Sequence, residues 1–333
     1  MSSDSGWGLW LHAIRPLSEL AALAEVAEGL GAAAILVADE GTDRDLYLTL
    51  AAIAQRTRTA LLVGAVTNPY SRHPVATAAA FASLAELAPG RVVAGFGAGG
   101  SRVLGPLGRR PARPFTALRE CVEVVDALLR GETVEHVGEF EAHGALSWCP
   151  GRLPIAIAGR GPRVERFAAE CADWILLAGR PIQAMAELVT RLRATARDRS
   201  VRRQAAARPE LASPAPAWVE GRAAHVPAAI AWNPNLAWTE ALVRDVREHL
   251  AYMVVDMPAA ERAELGVEGS EVSDAVVERY AVVGDRADVV RRLGVLRREV
   301  APELFVFDAN DYSVSFVEEL AALAAAAGLS GRH

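Results

Sequence analysis

The sequence contains no lysine: all 35 of its basic residues are arginine. Enzymes that form a Schiff base through a lysine amine, and P-loop nucleotide hydrolases that need a lysine on the phosphates, are therefore excluded. The formal net charge is -6, and no segment gathers arginines into a basic stripe. We expect no nucleic-acid partner, because nucleic-acid binding depends on clustered positive charge.

Cysteines and long apolar runs are also scarce. The three cysteines, Cys121, Cys149 and Cys171, lie far apart and form no CxxC pair, which predicts neither a disulfide framework nor a structural zinc site. No HExxH or similar spacing occurs, so we predict no metal. No apolar run approaches the ~18 to 20 residues of a membrane span, and the amino terminus lacks the basic region of a secretory signal. We expect a cytoplasmic protein with no membrane partner.

Apolar, strand-like runs recur along the chain and alternate with helical patterns. The predicted strands are residues 7–12, 33–38, 61–66, 92–96, 154–158, 174–178, 223–232 and 303–308. Eight strands, most of them followed by a helix, predict an α/β fold of the (β/α)8 TIM barrel type. The 333 residues are compatible with a single barrel domain, since such barrels often exceed ~250 residues.

Three segments exceed what a minimal barrel needs. Residues 131–150 contain short β-prone pieces split by glycine and predict a hairpin inserted before the fifth strand. Residues 200–222 are rich in proline, alanine and arginine and predict an irregular excursion before the seventh strand. Helical patterns within residues 236–280 predict an insertion after that strand, where we expect elements that enclose a substrate.

Glycines cluster after the fourth predicted strand, in GFGAGG at residues 95–100. This spacing matches GxGxxG, which opens a helix and binds a pyrophosphate in dinucleotide-binding folds. Here Gly105 and Pro106 follow closely and interrupt any regular helix. In a barrel, the same glycines would leave the mouth free of side chains, so that a planar ring can approach the main chain.

A second glycine-containing turn follows the fifth predicted strand: Ala158, Gly159, Arg160, Gly161 and Pro162. Exposed amides at the start of the next helix and the helix dipole together form an anion site, to which Arg160 adds positive charge. We predict that the phosphate of a cofactor binds here. An ordinary strand-to-helix turn is the alternative.

Polar side chains end the first two predicted strands. His12 shares a facing with Trp10 through the period of two, and it reaches the mouth if that facing points into the barrel. His12 is thus a candidate catalytic residue, with a structural histidine as the alternative. Asp39 and Glu40 end the second strand, where paired carboxylates transfer protons, bind a ring edge or form a solvated turn. No Ser-His-Asp or Cys-His arrangement is evident, so we expect a bound cofactor to carry the chemistry.

Several of these segments resemble one family. TNPYSRHP followed by a helix and LAPGRVVAGFGAGG, VADE at residues 37–40, and residues 153–179 are similar to the luciferase-like flavin and deazaflavin oxidoreductases. The resemblance is strongest to the branch that uses coenzyme F420 and includes methylenetetrahydromethanopterin reductase. It implies hydride transfer between F420 and a small-molecule substrate, in a homodimer. An FMN-dependent monooxygenase and a non-catalytic binding barrel are the alternatives.

The resemblance also implies roles for individual residues. A cis peptide between Gly64 and Ala65 would form a bulge that supports the cofactor ring, so we expect Gly64→Val to impair cofactor binding more than folding. Further cofactor contacts are implied for the residues that follow the second, third and fourth strands: Asp39, Thr67, Gly97, Ala98 and Gly99. The sugar-phosphate dehydrogenases of this family typically have a histidine where this chain has Glu40. Glu40 therefore stays a catalytic candidate by its position alone.

Overall fold

The computed structural model describes residues 5–203, 229–255, 257, 259–265, 267 and 271–329. Its strands form a closed barrel and two small sheets. In chain order the strands are β1 (Gly6–Leu11), β2 (Ala34–Val37), β3 (Leu61–Gly64), β4 (Val92–Phe96), β5 (Val134–Val137), β6 (Glu141–Gly144), β7 (Ile155–Ala158), β8 (Trp174–Leu177), β9 (Ala229–Trp232), β10 (Asn235–Ala237), β11 (Ala281–Val283) and β12 (Leu304–Asp308). Eight of them close in the order β1-β12-β9-β8-β7-β4-β3-β2, with parallel pairing. The predicted (β/α)8 barrel is confirmed, and the open dinucleotide-binding sheet is ruled out.

Helices surround this barrel. In chain order they are α1 (Leu17–Gly29), α2 (Leu46–Arg56), α3 (Pro74–Leu87), α4 (Ser101–Leu104), α5 (Pro114–Leu129), α6 (Pro162–Cys171), α7 (Met185–Arg203), α8 (Glu240–Val255), α9 (Ala259–Glu264), α10 (Asp274–Tyr280), α11 (Arg286–Glu299) and α12 (Val314–Ala326), with a 3-10 turn at Ile182–Ala184. Within the described residues, no helix combines the length and the apolar character that a membrane crossing requires.

The residues of each barrel strand alternate between two apolar layers. Leu9 and Leu11 of β1 pack outward against the helices, whereas Trp10 packs among the residues that fill the barrel. Because successive side chains of a strand point to opposite faces, His12 continues the inward-facing series of Trp10. The sequence left open which face of β1 points into the barrel. The structure places His12 on the inward face, so its side chain points into the barrel mouth.

Three segments extend the barrel. Within residues 131–150, β5 and β6 pair antiparallel, with Val134 opposite Gly144. Helix α7 continues to Arg203, so the first residues of the segment 200–222 are helical, and residues 204–222 lie outside the described part of the chain. Residues 236–280 contain α8, α9 and α10, and the adjoining β10 pairs with β11.

A bulge follows β3, but its cis peptide lies one residue later than predicted. The cis bond joins Ala65 and Val66, not Gly64 and Ala65. Ala65 N still donates to Val37 O at 2.7 Å, which keeps the peptide between Gly64 and Ala65 in the β2-β3 ladder. The chain then pairs with β4 through Thr67. The hydrogen bonds of the sheet thus confine the departure to Ala65 and Val66.

Gly64→Val is expected to lower the stability of the fold. A Cβ atom on Gly64 would lie 2.9 Å from Phe81 Cζ, in the layer between β3 and α3 and away from the mouth. The expectation that this substitution mainly impairs cofactor binding is therefore wrong in its geometry. Overpacking of this kind costs ~1 to 3 kcal/mol, which thermal unfolding measures. Gly29→Val is the matched control, because no atom lies within 4 Å of a Cβ built there; an equal effect of the two substitutions would contradict the prediction.

Candidate active site

The polar side chains at the barrel mouth come from the carboxyl ends of several strands. His12 follows β1, Asp39 and Glu40 follow β2, Asn233 follows β9, and Asp308 ends β12. Parallel strands bring their carboxyl ends to one rim, which is the end of a (β/α)8 barrel where active sites form. The two candidate catalytic residues, His12 and Glu40, are brought together there.

His12 lies between two carboxylates. Its Nδ1 is 3.3 Å from Glu40 Oε2, and its Nε2 is 4.0 Å from Asp308 Oδ1. The side chain of His12 is only 17% exposed. Burial lowers its pKa, but the interaction of the imidazole N–H with the Glu40 carboxylate and the charges of Asp308 and Glu40 together outweigh burial, so the pKa of His12 is raised. This environment favours a histidine that carries a proton.

Tyr312 holds the main chain of His12. The amide of His12 donates to Tyr312 Oη at 3.0 Å, and the same hydroxyl donates to His12 O at 2.9 Å. Burial raises the pKa of Tyr312 to about 12, so the hydroxyl keeps the proton that it donates. These two bonds fix the strand end from which the imidazole projects.

Asp39 and Glu40 point to different partners. Asp39 Oδ2 accepts from Thr67 Oγ1 at 2.6 Å and from Ser71 Oγ at 3.3 Å, which ties the end of β2 to the loop after β3. Burial raises the pKa of Asp39 more than these two bonds lower it. Glu40 instead faces His12 and is only 21% exposed. The acidic pair is therefore not a solvated turn: each carboxylate has a separate site at the mouth.

Glu40 also binds Arg102 of α4. Arg102 Nε lies 2.9 Å from Glu40 Oε2, and its guanidinium lies over the ring of Tyr252 of α8, 5.1 Å from the centroid. Potential ligand atoms of His12, Glu40 and Asp43 lie within 4.8 Å of one another, a grouping that the sequence spacing did not suggest. Arg102, however, already supplies a positive charge to the glutamate oxygen that a metal ion would use.

The predicted phosphate site lies at the start of α6. Gly161 has a φ of 124°, which L side chains rarely adopt, and no side chain caps the helix. The first helical hydrogen bond runs from Glu165 N to Gly161 O. Pro162 has no amide hydrogen. The amides of Arg163 and Val164 come before Glu165, the first residue whose amide has an acceptor inside the helix, so they have no acceptor within the helix. These two amides are the groups that an anion at this position would bind.

Arg180 supports the rest of this loop through a hydrogen bond and an ion pair. Arg180 Nη2 donates to Gly159 O at 2.9 Å and pairs with Glu165 Oε1 at 2.6 Å, which neutralises the carboxylate in the first turn of α6. Ala158 packs against the inner layer of the barrel. Arg160 is half-buried. The loop is thus supported by charge pairing and presents its remaining amides at the rim.

The residues after β4 have a packing role that the sequence did not predict. Gly97 N donates to Thr67 O at 2.8 Å, and a Cβ on Gly97 would lie 2.7 Å from Val66 Cγ2. The glycine therefore makes room for the bulge after β3. Ala98 packs against the outer layer, and Gly99 begins the turn into the single turn of α4, which starts despite the nearby glycine and proline. Contact of Gly97, Ala98 and Gly99 with a cofactor stays a prediction.

Sequence reasoning missed several residues of the mouth: Asn233, Asp308, Tyr312, Arg102 and Asp43. Two of them carried a signal, because Asn233 and Asp308 stand at the ends of the seventh and eighth predicted strands, where ligand-binding residues of barrels occur. The other three lie on loops or on a short helix, and no local pattern indicates that they approach His12 or Glu40.

The chain forms a closed (β/α)8 barrel whose carboxyl rim carries polar residues and an uncapped helix start, and this rim is where the active sites of such barrels form. Residues 4–301 match the family model described as luciferase-like monooxygenase, and the chain belongs to this family.

Among the curated relatives, two illustrate a match over part of the chain. The chain is 36% identical over 161 residues to 5,10-methylenetetrahydromethanopterin reductase of Archaeoglobus fulgidus, which covers 48% of each chain. It is 33% identical over 171 residues to F420-dependent glucose-6-phosphate dehydrogenase of Nakamurella multipartita, which covers 47% of this chain and 50% of the relative. The chain thus spans about half the length of the curated relatives it matches.

The fold matches over nearly the whole chain. The coenzyme F420-dependent tetrahydromethanopterin reductase of Methanopyrus kandleri superposes with a TM-score of 0.76 over 96% of this chain and 97% of that one, at 19% identity. This likeness shows that the two proteins share a fold, and together with the family match it confirms the predicted luciferase-like barrel.

Proposed function

We propose that this protein is an F420-dependent oxidoreductase that moves a hydride between the deazaflavin and a small organic substrate. The observation that carries the proposal is His12, which lies partly buried at the barrel mouth between Glu40 and Asp308. The family membership supports it, and so does the relative whose name states F420 dependence, the glucose-6-phosphate dehydrogenase of Nakamurella multipartita. F420, when bound, supplies a carbon centre that accepts or donates a hydride.

The residues at the rim fit such a cofactor. The uncapped start of α6 offers the amides of Arg163 and Val164 to a phosphate, with Arg160 nearby in the same loop. On the other side, Asp39 is held by Thr67 and has a raised pKa, so it can accept a hydrogen bond from a ring edge or share a proton with it. We infer that the loop from Gly159 to Pro162, with the amides of Arg163 and Val164 that follow it, binds the phosphate, and that Asp39, Thr67 and the bulge at Ala65 lie beside the ring.

His12 would hold the proton that accompanies the hydride. Glu40 and Asp308 stabilise the imidazolium, and Tyr312 fixes the main chain that carries it. The pKa of Glu40 is lowered: burial raises this pKa, but His12 and Arg102 lower it by more than burial raises it. Glu40 therefore stays charged, orients the imidazole and does not donate the proton itself.

The choice of cofactor is tested by titrating the purified protein separately with F420 and with FMN. We expect F420 to bind in the micromolar range or more tightly, which corresponds to about -8 kcal/mol, and FMN to bind more weakly. Fluorescence quenching measures both affinities. A protein that purifies with FMN, or that consumes oxygen with reduced FMN and ignores F420, would instead be a luciferase-like monooxygenase. Binding of neither cofactor would favour the non-catalytic barrel.

Gly161→Asp is expected to weaken F420 binding by about tenfold or more, because it adds a carboxylate where the helix start would bind a phosphate. Gly161 has a positive φ, so the substitution also strains the main chain. Gly144→Asp is the matched control: Gly144 has a φ of 106° on the β5-β6 hairpin, and at both positions no atom lies within 4 Å of an added Cβ. Equal F420 affinity in the two variants would show that the phosphate binds elsewhere.

The homodimer and the cytoplasmic location stay predictions. Light scattering on the purified full chain measures the oligomeric state, and a monomer at micromolar concentration would contradict the first of them.

A further inference from the structure

Two cationic side chains meet the same oxygen atom of Glu40. Arg102 Nε lies 2.9 Å from Glu40 Oε2, and His12 Nδ1 lies 3.3 Å from that same atom. A guanidinium is always charged, whereas an imidazole gains and loses its proton near neutral pH. The arginine and the imidazolium therefore compete for one negative charge. The position of Arg102 determines how strongly Glu40 acts on His12.

Both the main chain and the side chain of Arg102 contact neighbouring elements. The carbonyl oxygen of Arg102 lies 2.9 Å from the place that a Cβ atom on Gly41 would occupy. Gly41 follows Glu40 directly and has a φ of 50°, so it lets the loop after β2 pass close to α4. The guanidinium lies 5.1 Å from the centroid of the Tyr252 ring, in a cation–π contact. Arg102 thus joins the end of β2 to α8.

Helix α8 is held against two loops of the rim through neighbouring residues. Tyr252 contacts Arg102 of α4, which follows β4. A Cβ atom on Gly179, in the loop after β8, would lie 2.6 Å from Met253 Sδ, so the thioether packs directly on that loop. In the barrel, β7 lies between β8 and β4. The end of α8 therefore spans this part of the rim and keeps the Tyr252 ring against the guanidinium.

Charged and titratable groups from β2, β12, α4 and α8 surround His12 and its partner Glu40. Besides these two residues, they are Asp43 after β2, Asp308 at the end of β12, Tyr312 after it, Arg102 of α4 and His249 of α8. Burial lowers the pKa of His12, and Glu40 and Asp308 raise it above its usual value. The charge of Arg102 lowers it again. Because a proton donor works best when its pKa lies near the working pH, Arg102 helps His12 to release its proton.

We propose that Arg102 is a positioning residue for the reaction at the mouth: it takes a share of the Glu40 oxygen that His12 faces, and Tyr252 holds it there. Helix α8 is thereby coupled to the contact between Glu40 and His12. The inference rests on the proposed function for the reaction that His12 serves, whereas the contacts of Arg102 involve only this chain. No covalent bond is made or broken.

The test follows the imidazole of His12 by NMR in the full chain, without F420. The signal of His12 is assigned by its absence in His12→Gln, and its chemical shift is recorded from about pH 5 to pH 9. Arg102→Met keeps the length of the side chain and removes its charge, so the midpoint of the His12 titration should move to higher pH. Arg102→Gln should move it in the same direction. A native midpoint in both variants would overturn the proposal.

Arg72→Met is the matched control. Arg72 makes the same two kinds of contact: its Nη2 lies 3.0 Å from Asp45 Oδ2, and its guanidinium lies 4.5 Å from the centroid of the Tyr47 ring. Its exposed fraction, 37%, is also close to the 39% of Arg102. The midpoint of His12 should be native in Arg72→Met. An equal movement in Arg72→Met and Arg102→Met would overturn the proposal, because the contact with Glu40 would then not be its cause.

Two substitutions of Tyr252 test the part that α8 plays. Tyr252→Leu removes the ring on which the guanidinium lies, so the His12 midpoint should move in the same direction as in Arg102→Met, but by less, since the arginine keeps its charge. Tyr252→Phe keeps the ring and should retain the native midpoint. A midpoint that moves in Arg102→Met but is native in Tyr252→Leu would overturn the coupling to α8.

Turnover supplies a second measurement, with F420 and a substrate that the native protein turns over. In Arg102→Met, the direction that needs the imidazolium should keep its rate to higher pH. The opposite direction, which needs the neutral imidazole, should lose about tenfold at neutral pH. A native pH profile in both directions would overturn the positioning role.

The NMR titration separates this proposal from the proposed function. A His12 midpoint that moves as expected, in a protein that binds no F420, would overturn the cofactor assignment and keep the contact of Arg102 with Glu40 and His12. F420 binding together with a native midpoint in both Arg102 variants would overturn the positioning role alone.

Discussion

Replacing His12 with glutamine is expected to reduce turnover by ~10² to 10⁴-fold, the range that loss of a general acid or base covers. Glutamine retains hydrogen-bonding groups but has no proton to transfer at neutral pH. His12 is the titratable side chain that both Glu40 and Asp308 face, at 3.3 and 4.0 Å. The measurement is steady-state reduction or oxidation of F420, followed by its absorbance, with a small organic substrate that the native protein turns over.

The pH profile distinguishes proton transfer from a structural role. Burial lowers the pKa of His12, but Glu40 and Asp308 raise it above its usual value. A reaction direction that needs the imidazolium therefore loses rate as the pH rises through this raised pKa. Glu40→Gln removes one of the groups that raise the pKa, so it should shift this loss of rate to lower pH.

A control histidine and a binding measurement complete the test. His143 lies half-exposed on the β5-β6 hairpin, where it pairs with Glu135 and Glu141, and His143→Gln should leave turnover unchanged. The affinity of His12→Gln for F420 should match that of the native protein. Native turnover in His12→Gln would remove His12 from the mechanism.

The largest effect on stability is expected for Arg91→Leu, with a loss of at least about 3 kcal/mol. Arg91 is 8% exposed and precedes β4. Its guanidinium donates to Thr57 Oγ1 and Ala60 O at 3.0 Å, to Thr57 O at 3.2 Å and to Ala54 O at 3.4 Å. It thereby satisfies acceptors at the end of α2 and the start of β3. Leucine removes these four hydrogen bonds from buried acceptors, and urea unfolding measures the loss as a lower midpoint.

Arg56→Leu is the matched control. Arg56 Nη1 pairs with Glu25 Oε2 at 2.9 Å, but both side chains are about half-exposed. Exposed ion pairs contribute only ~0 to 1 kcal/mol, so this variant should unfold close to the native midpoint. Equal losses for the two arginines would mean that burial and bonding to the main chain do not determine the effect.

The prediction of the barrel from sequence succeeded where local patterns carry the information. The predicted strand at residues 92–96 has the same bounds in the structure, because its five residues are all buried and glycines follow it directly. The predicted strand at 61–66 instead ends at Gly64. Ala65 and Val66 are apolar enough to continue a strand, but Ala65 N donates to Val37 O and Thr67 N donates to Gly95 O, and the chain leaves the regular ladder between these two bonds.

The error at Gly64 has the same cause, because a local sequence pattern does not reveal tertiary packing. Its identity as a small residue suggested a position next to a cofactor, and the family resemblance reinforced that interpretation. Only the packing of β3 against α3 reveals that the space at Gly64 is filled by Phe81. A glycine in a sequence indicates that a side chain is not tolerated, but it does not indicate which neighbour excludes it.

The sequence by itself determined the order of strands and helices, the common facing of Trp10 and His12, and the residue types at the strand ends, since these depend on periodicity and on short-range chemistry. Tertiary structure decided which of these residues meet. Tyr312 binds the main chain of His12 across a separation of 300 residues, and Asp308 reaches the imidazole only because β12 pairs with β1 and closes the barrel. Barrel closure joins the two ends of the chain, and no local pattern encodes the distance between side chains that this closure brings together.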